Sequence, residues 1–147
     1  MTKILVSACL LGENCKYSGG NNKNEEVIAL SKYFELIPVC PECFGGLTIP
    51  REPSEISGDR VLTKTGEDVT AEFVEGAEQT LYIAHEKNCP AALLKENSPS
   101  CGFGKIYDGS FSSKLTDGNG ITAQLLNDNG IAVFGENAVK KLIELYS

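Results

Sequence analysis

The sequence predicts a single-domain α/β fold with a mostly parallel sheet covered on both faces. Three observations carry this. Apolar runs of strand length alternate with segments of helical periodicity along the chain. The strand runs are nearly continuously apolar, as in strands buried on both faces rather than one. Within 147 residues there is no repeat and no Pro/Gly/Ser-rich linker to divide two units, so the single domain is taken to span 1–147.

The elements follow in order. Residues 3–9, KILVSAC, read as the first strand. NEEVIALSKYF is a helix in which Asn24 caps, Glu25 and Glu26 suit the first turn, and Val27, Leu30 and Phe34 share one face. ELIPVC at 35–40 is the second strand, ended by Pro41. RVLTKTGEDVT reads as a small hairpin turning at Thr65-Gly66. Thr70 is expected to cap a helix running to about Lys87, with Phe73, Ala77, Leu81 and Ala84 on its apolar stripe. AALLKE at 91–96 is the third strand, NSPSCGFGK a loop, and a loose hairpin turns at Asp108-Gly109. GITAQLLNDNG is a short helix closing at Gly130, and IAVFG the fourth strand. Asn137 is expected to cap a last helix that turns Val139, Leu142, Ile143 and Tyr146 inward. The arrangement is a Rossmann-like three-layer one, in which ligands bind beyond the carboxyl ends of the strands.

Charge and composition exclude several functions. The net charge of −7 argues against a phosphate-backbone footprint, so a nucleic acid is not an expected partner. The longest apolar runs, as at Ile131 to Phe134, fall far short of the roughly 20 residues of a membrane span. The apolar start MTKILVSACLLGENC reads as a buried strand rather than a signal segment, which makes the expected location cytoplasmic. There, six cysteines are free, catalytic or metal-bound rather than a disulfide framework.

The cysteines concentrate where such a fold places its ligand site. Cys9 ends the first strand, Cys40 ends the second, and Cys101 follows the third, so the three should meet on one rim. A lone cysteine in a strand is ordinarily a small buried hydrophobe, but three at strand ends point to a shared centre. Cys40-Pro-Glu-Cys43 also fits a redox pair or half a zinc site. Against the first, FGGLTIPREP cannot extend the helix that a thioredoxin-like pair should open; against the second, Cys9 and Cys15 are a loose second pair. Spacing alone leaves the metal open. Glu42, two residues after Cys40, could transfer protons or orient water if it is not a solvated loop acid. Ser98, before Pro99, either forms the turn or reaches a ligand in the same cleft. His85 lies off its helix's apolar stripe and is assigned no role.

VSACLLGENCKYSGG, PVCPECFGGLTIPR, TGEDVTAEFVEGA and LLKENSPSCG, in this order across nearly the whole chain, resemble the thiouracil desulfidase family. The resemblance implies a [4Fe-4S] cluster held by three cysteines, here Cys9, Cys40 and Cys101, with one iron left free of protein ligands. It makes Glu42 the catalytic carboxylate and Ser98 an active-site serine, and leaves Cys15, Cys43 and Cys89 out of the ligand set. The implied reaction is a hydrolytic, non-redox desulfuration of a thiolated pyrimidine of the 2-thiouracil or 4-thiouracil type. The open iron binds the thiocarbonyl sulfur, Glu42 handles water and protons, and hydrosulfide leaves. An acidic chain without a basic stripe suits a small thiolated nucleobase or nucleoside. A zinc-binding module and a C-x-x-C thiol-disulfide oxidoreductase are the alternatives.

Overall fold

The computed structural model describes all 147 residues, Met1–Ser147. In chain order the elements are β1 (Lys3–Ser7), α1 (Glu25–Ile28), β2 (Glu35–Val39), α2 (Pro41–Phe44), β3 (Ser54–Ser57), β4 (Arg60–Thr63) and α3 (Thr70–Glu86). They continue with β5 (Ala91–Leu94), β6 (Lys105–Tyr107), β7 (Leu115–Asp117), α4 (Ile121–Asp128), β8 (Ala132–Gly135) and α5 (Val139–Tyr146). The central sheet is parallel throughout, in the order β2-β1-β5-β8. The expected α/β class and parallel sheet are thus found.

The period of two along each strand divides the core between two faces. Leu5, Ala92, Leu94 and Val133 pack with Ala84 of α3 and with Ala123 and Leu126 of α4. Ile4, Val6, Ala91 and Leu93 pack on the other side with Val27 of α1 and with Val139 and Leu142 of α5. Ile4, Leu5, Val6, Leu93 and Leu94 are fully buried, each contributing about 1.5–3 kcal/mol of apolar transfer. Pro38 lies in β2, an edge strand, where its missing N–H interrupts no ladder on the open side.

Chain order reverses at β1, which has β2 on one side and β5 on the other. The loops leaving β1 and β5 therefore diverge and open a crevice at the carboxyl end of the sheet. Two small hairpins, β3–β4 and β6–β7, stand outside the main sheet.

Several boundaries moved for local reasons. β1 stops at Ser7, and Ala8–Leu11 form a 3₁₀ turn closed by Gly12 at φ 98°. Cys9 therefore sits in the turn after the strand, not at its last position. Cys40 likewise follows β2 and caps α2, whose Pro41 occupies the first helical position. The C-x-x-C segment thus opens a helical turn after all, although Gly45 ends it after four residues. The outer hairpin turns at Gly58-Asp59, while the Thr65-Gly66 turn brings Asp68 back onto Leu62 as a single bridge.

Asn24 caps α1 as expected, its side chain accepting from the N–H groups of Glu26 and Val27. The other two expected caps do not form. Thr70 is already inside α3, its hydroxyl donating to Asp68 and accepting from the Val61 N–H. Asn137 gives its side-chain N–H to Glu96 instead of capping α5. No helix is long and apolar enough to cross a membrane.

Candidate active site

Cys9, Cys40 and Cys101 all line one cleft of about 520 Å³ at the carboxyl end of the sheet, together with Glu42 and Ser98. Each thiol is delivered by a different loop. The Cys9 turn is tied to the glycine-rich segment after it, because the Asn22 N–H donates to the Cys9 carbonyl at 3.0 Å. The Asn22 side-chain amide also donates to Cys9 Sγ at 3.4 Å. Burial raises the Cys9 thiol, and the Asn22 hydrogen bond opposes it.

Cys40 and its short helix dock against α3 by backbone contact. A Cβ at Gly76 would stand 1.9 Å from the Pro41 carbonyl oxygen, and one at Gly45 1.9 Å from that of Glu72. Only glycine fits either position. Cys15 lies beside this turn, its carbonyl accepting from the thiols of Cys40 at 3.8 Å and Cys43 at 3.9 Å. The side-chain contact with Cys15 lowers the Cys40 thiol against the effect of burial, and the same pairing raises Cys15. Cys43 is half-buried, with burial pushing its thiol up to about 11.

The Cys101 loop is built on the first turn of α4. Ser100 O accepts from the N–H groups of Thr122 and Ala123, and Pro99 O from that of Ile121. The approach is close enough that a Cβ at Gly120 would meet the Ser100 carbonyl carbon at 2.5 Å, and one at Gly102 the Ser98 oxygen at 2.7 Å. Ser98 Oγ accepts from the Cys101 N–H at 2.8 Å, so it does form the turn, while remaining on the cleft wall. Cys101 itself is 6% exposed, and burial pushes its thiol up to about 12 against a 3.4 Å hydrogen bond donated by Ser7. Ser7 is held in turn by the Lys95 N–H, which donates to its oxygen at 2.9 Å.

Glu42 is no solvated acid: its side chain is 17% exposed. Arg51 Nε donates to Oε1 at 3.2 Å, and Ser100 Oγ to Oε2 at 2.8 Å. Ser7, Asn22, Arg51 and Ser100 escaped the sequence reading. For Arg51 a signal existed, since it is one of only two arginines and falls within the PVCPECFGGLTIPR stretch. Cys89 precedes β5 and lies in the core near the start of the sheet, away from the cleft. His85 is exposed. No three His, Cys, Asp or Glu side chains are grouped tightly enough to hold a single metal ion.

Residues 4–138 match the 2-thiouracil desulfurase family. The chain is 43% identical over 150 residues to the uncharacterized protein YbbK of Bacillus subtilis (strain 168), covering 95% of this chain and 99% of that one. Its fold is similar to the solved structure of a [4Fe-4S]-dependent thiouracil desulfidase, TudS, with a TM-score of 0.91 and 44% identity. That similarity covers 97% of this chain and 95% of the other. Matched over nearly its full length in sequence and in fold, the chain belongs to the 2-thiouracil desulfurase family.

Proposed function

We propose that the protein holds a [4Fe-4S] cluster on Cys9, Cys40 and Cys101 and replaces the sulfur of a thiolated pyrimidine by oxygen from water. The observation that carries the reading is that three thiols, from three separate loops, line one cleft that also contains a half-buried carboxylate. The donor set suits the group. Three cysteine thiols on the wall of one cleft are the donor type that an iron–sulfur cluster takes. Ser7 and Asn22 already direct donors at two of the sulfurs, the pattern that supports ligated thiolates. Burial by itself keeps Cys101 as the neutral thiol, and a bound metal would supply the positive charge that its thiolate needs.

The chemistry such a cluster supplies is Lewis acidity toward a thiocarbonyl sulfur at an iron without a protein ligand. The protein side of the reaction falls to Glu42. Arg51 and Ser100 each occupy one lone pair on its oxygens, and a second on each stays available in the cleft. Glu42 takes a proton from water as the water oxygen attacks the thiocarbonyl carbon, and returns it as the C–S bond breaks. The balance is C=S plus water to C=O plus hydrogen sulfide, which leaves as hydrosulfide and a proton, with no net electron transfer. Ser98, fixed by the Cys101 N–H, presents its hydroxyl to the bound ring. The substrate class is a small thiolated base or nucleoside, and the six unpaired thiols suit a reducing, cytoplasmic setting.

Anaerobically purified protein should be brown and contain about four iron and four sulfide per chain. Colourless protein with stoichiometric zinc would replace this reading by the zinc-module one.

A further inference from the structure

Glu42 stands on a helix of one turn, which is too short to fix a side chain by itself. What fixes it comes from the loop that continues this helix and from the loop that carries Cys101. Arg51 uses its fork in three directions: Nε to Glu42 Oε1 at 3.2 Å, Nη2 to the Cys15 carbonyl at 3.0 Å and Nη1 to the Thr48 carbonyl at 3.1 Å. Its backbone N–H donates to the Tyr17 carbonyl at 2.8 Å, and its side chain is only 8% exposed. Ser100 is 3% exposed and anchored by two N–H groups of α4, and its hydroxyl meets the other Glu42 oxygen at 2.8 Å. Ser100 Oγ also lies 3.6 Å from Cys101 Sγ, but it has one proton, and the shorter contact to the carboxylate takes it.

We infer that Arg51 and Ser100 are positioning residues which clamp the two oxygens of Glu42, fixing where that carboxylate meets the attacking water. The inference rests on the role proposed above for Glu42. Arg51 acts from the loop that follows α2, Ser100 from the loop that carries Cys101, so the carboxylate is held relative to a ligand loop as well as to its own. A guanidinium suits the first position because one planar group reaches a carboxylate and two carbonyls at once. A lysine ammonium on its single nitrogen cannot span all three. Both oxygens of the side chain are held by protein donors, which makes the clamp a preorganising one.

Removing the clamp should disturb the chemical step and spare binding. A displacement of about 1 Å in a reacting group costs on the order of 10²-fold in rate. In cluster-reconstituted protein assayed anaerobically for hydrosulfide release, Arg51→Met should lower kcat by about 10- to 100-fold with KM changed by less than about threefold. Arg51→Lys should fall between Arg51→Met and wild type, and Ser100→Ala should lose about tenfold. All three should keep wild-type iron content and visible spectrum. A crystal structure of Arg51→Met should show the Glu42 carboxylate turned away from its wild-type position.

The clamp is overturned if Arg51→Met retains full kcat, if its activity falls only in step with iron content, or if Glu42 stays in place without Arg51. Should Arg51→Met fail to fold, Arg51→Lys and Ser100→Ala decide by the same kinetic and structural measures. Wild-type protein that releases hydrosulfide from no thiolated pyrimidine would end the desulfidase reading. The position of Glu42 in the variant crystal would then still judge the clamp.

Discussion

Two residues apart on one turn, Cys40 and Glu42 take different tasks because their surroundings differ. The thiol lies against Cys15, and the carboxylate is gripped by Arg51 and Ser100. Glu42→Gln keeps the shape and removes the base, so turnover should fall by about 10²–10⁴-fold with iron content unchanged, as assayed by hydrosulfide release. Replacing Cys9, Cys40 or Cys101 with Ser should abolish cluster binding, measured as iron per chain. Cys15, Cys43 and Cys89 should each tolerate Ser with nearly full iron. Ser7 is 2% exposed and holds the Lys95 N–H, so Ser7→Ala should cost about 1–3 kcal/mol in chemical denaturation by orphaning that donor. The three cysteines were legible as a group because strand ends can be read from apolar runs. Ser100 was not, because which hydroxyl of Ser98-Pro99-Ser100 faces Glu42 depends on loop dihedrals that residue identities do not determine. Arg51 was missed because the path from Glu42 to it winds through a loop of two glycines and a proline.

At the scale of elements, the site depends on how tightly α2 sits on α3 and how tightly the Cys101 loop sits on α4. Gly76→Ala would put a methyl 1.9 Å from the Pro41 oxygen, and backbone cannot yield as a side chain would. Overpacking of this kind costs about 1–3 kcal/mol. The thermal midpoint should drop accordingly, and cluster retention should fall with it, since Pro41 joins Cys40 to Glu42. A midpoint and iron content equal to wild type would show that the two helices are free to part. The strands were readable as short apolar runs, and the long helix from a period sustained over many residues. The glycine contacts were not, because a backbone-to-backbone approach leaves no mark in hydrophobic pattern. Asn137 shows the same limit: its capping signal was sound, but Glu96, distant in sequence, takes the side chain instead.

For the molecule as a whole, the order β2-β1-β5-β8 decides where chemistry can occur. The reversal at β1 opens the crevice, and the three loops that carry thiols are those following β1, β2 and β5. An acidic chain thereby forms a cleft with Arg51, Lys95 and Glu42 on its walls, of the volume common in small-ligand sites. Fold and rim were predictable from strand alternation, while the identity of the metal and the reaction came from the four motifs rather than from spacing. The most direct test is the conversion of 2-thiouracil or 4-thiouracil by anaerobic, cluster-reconstituted protein, with hydrosulfide and uracil measured together. The account predicts equal amounts of both, catalytically and without added reductant. A fully loaded cluster with no hydrosulfide released from either compound would contradict it.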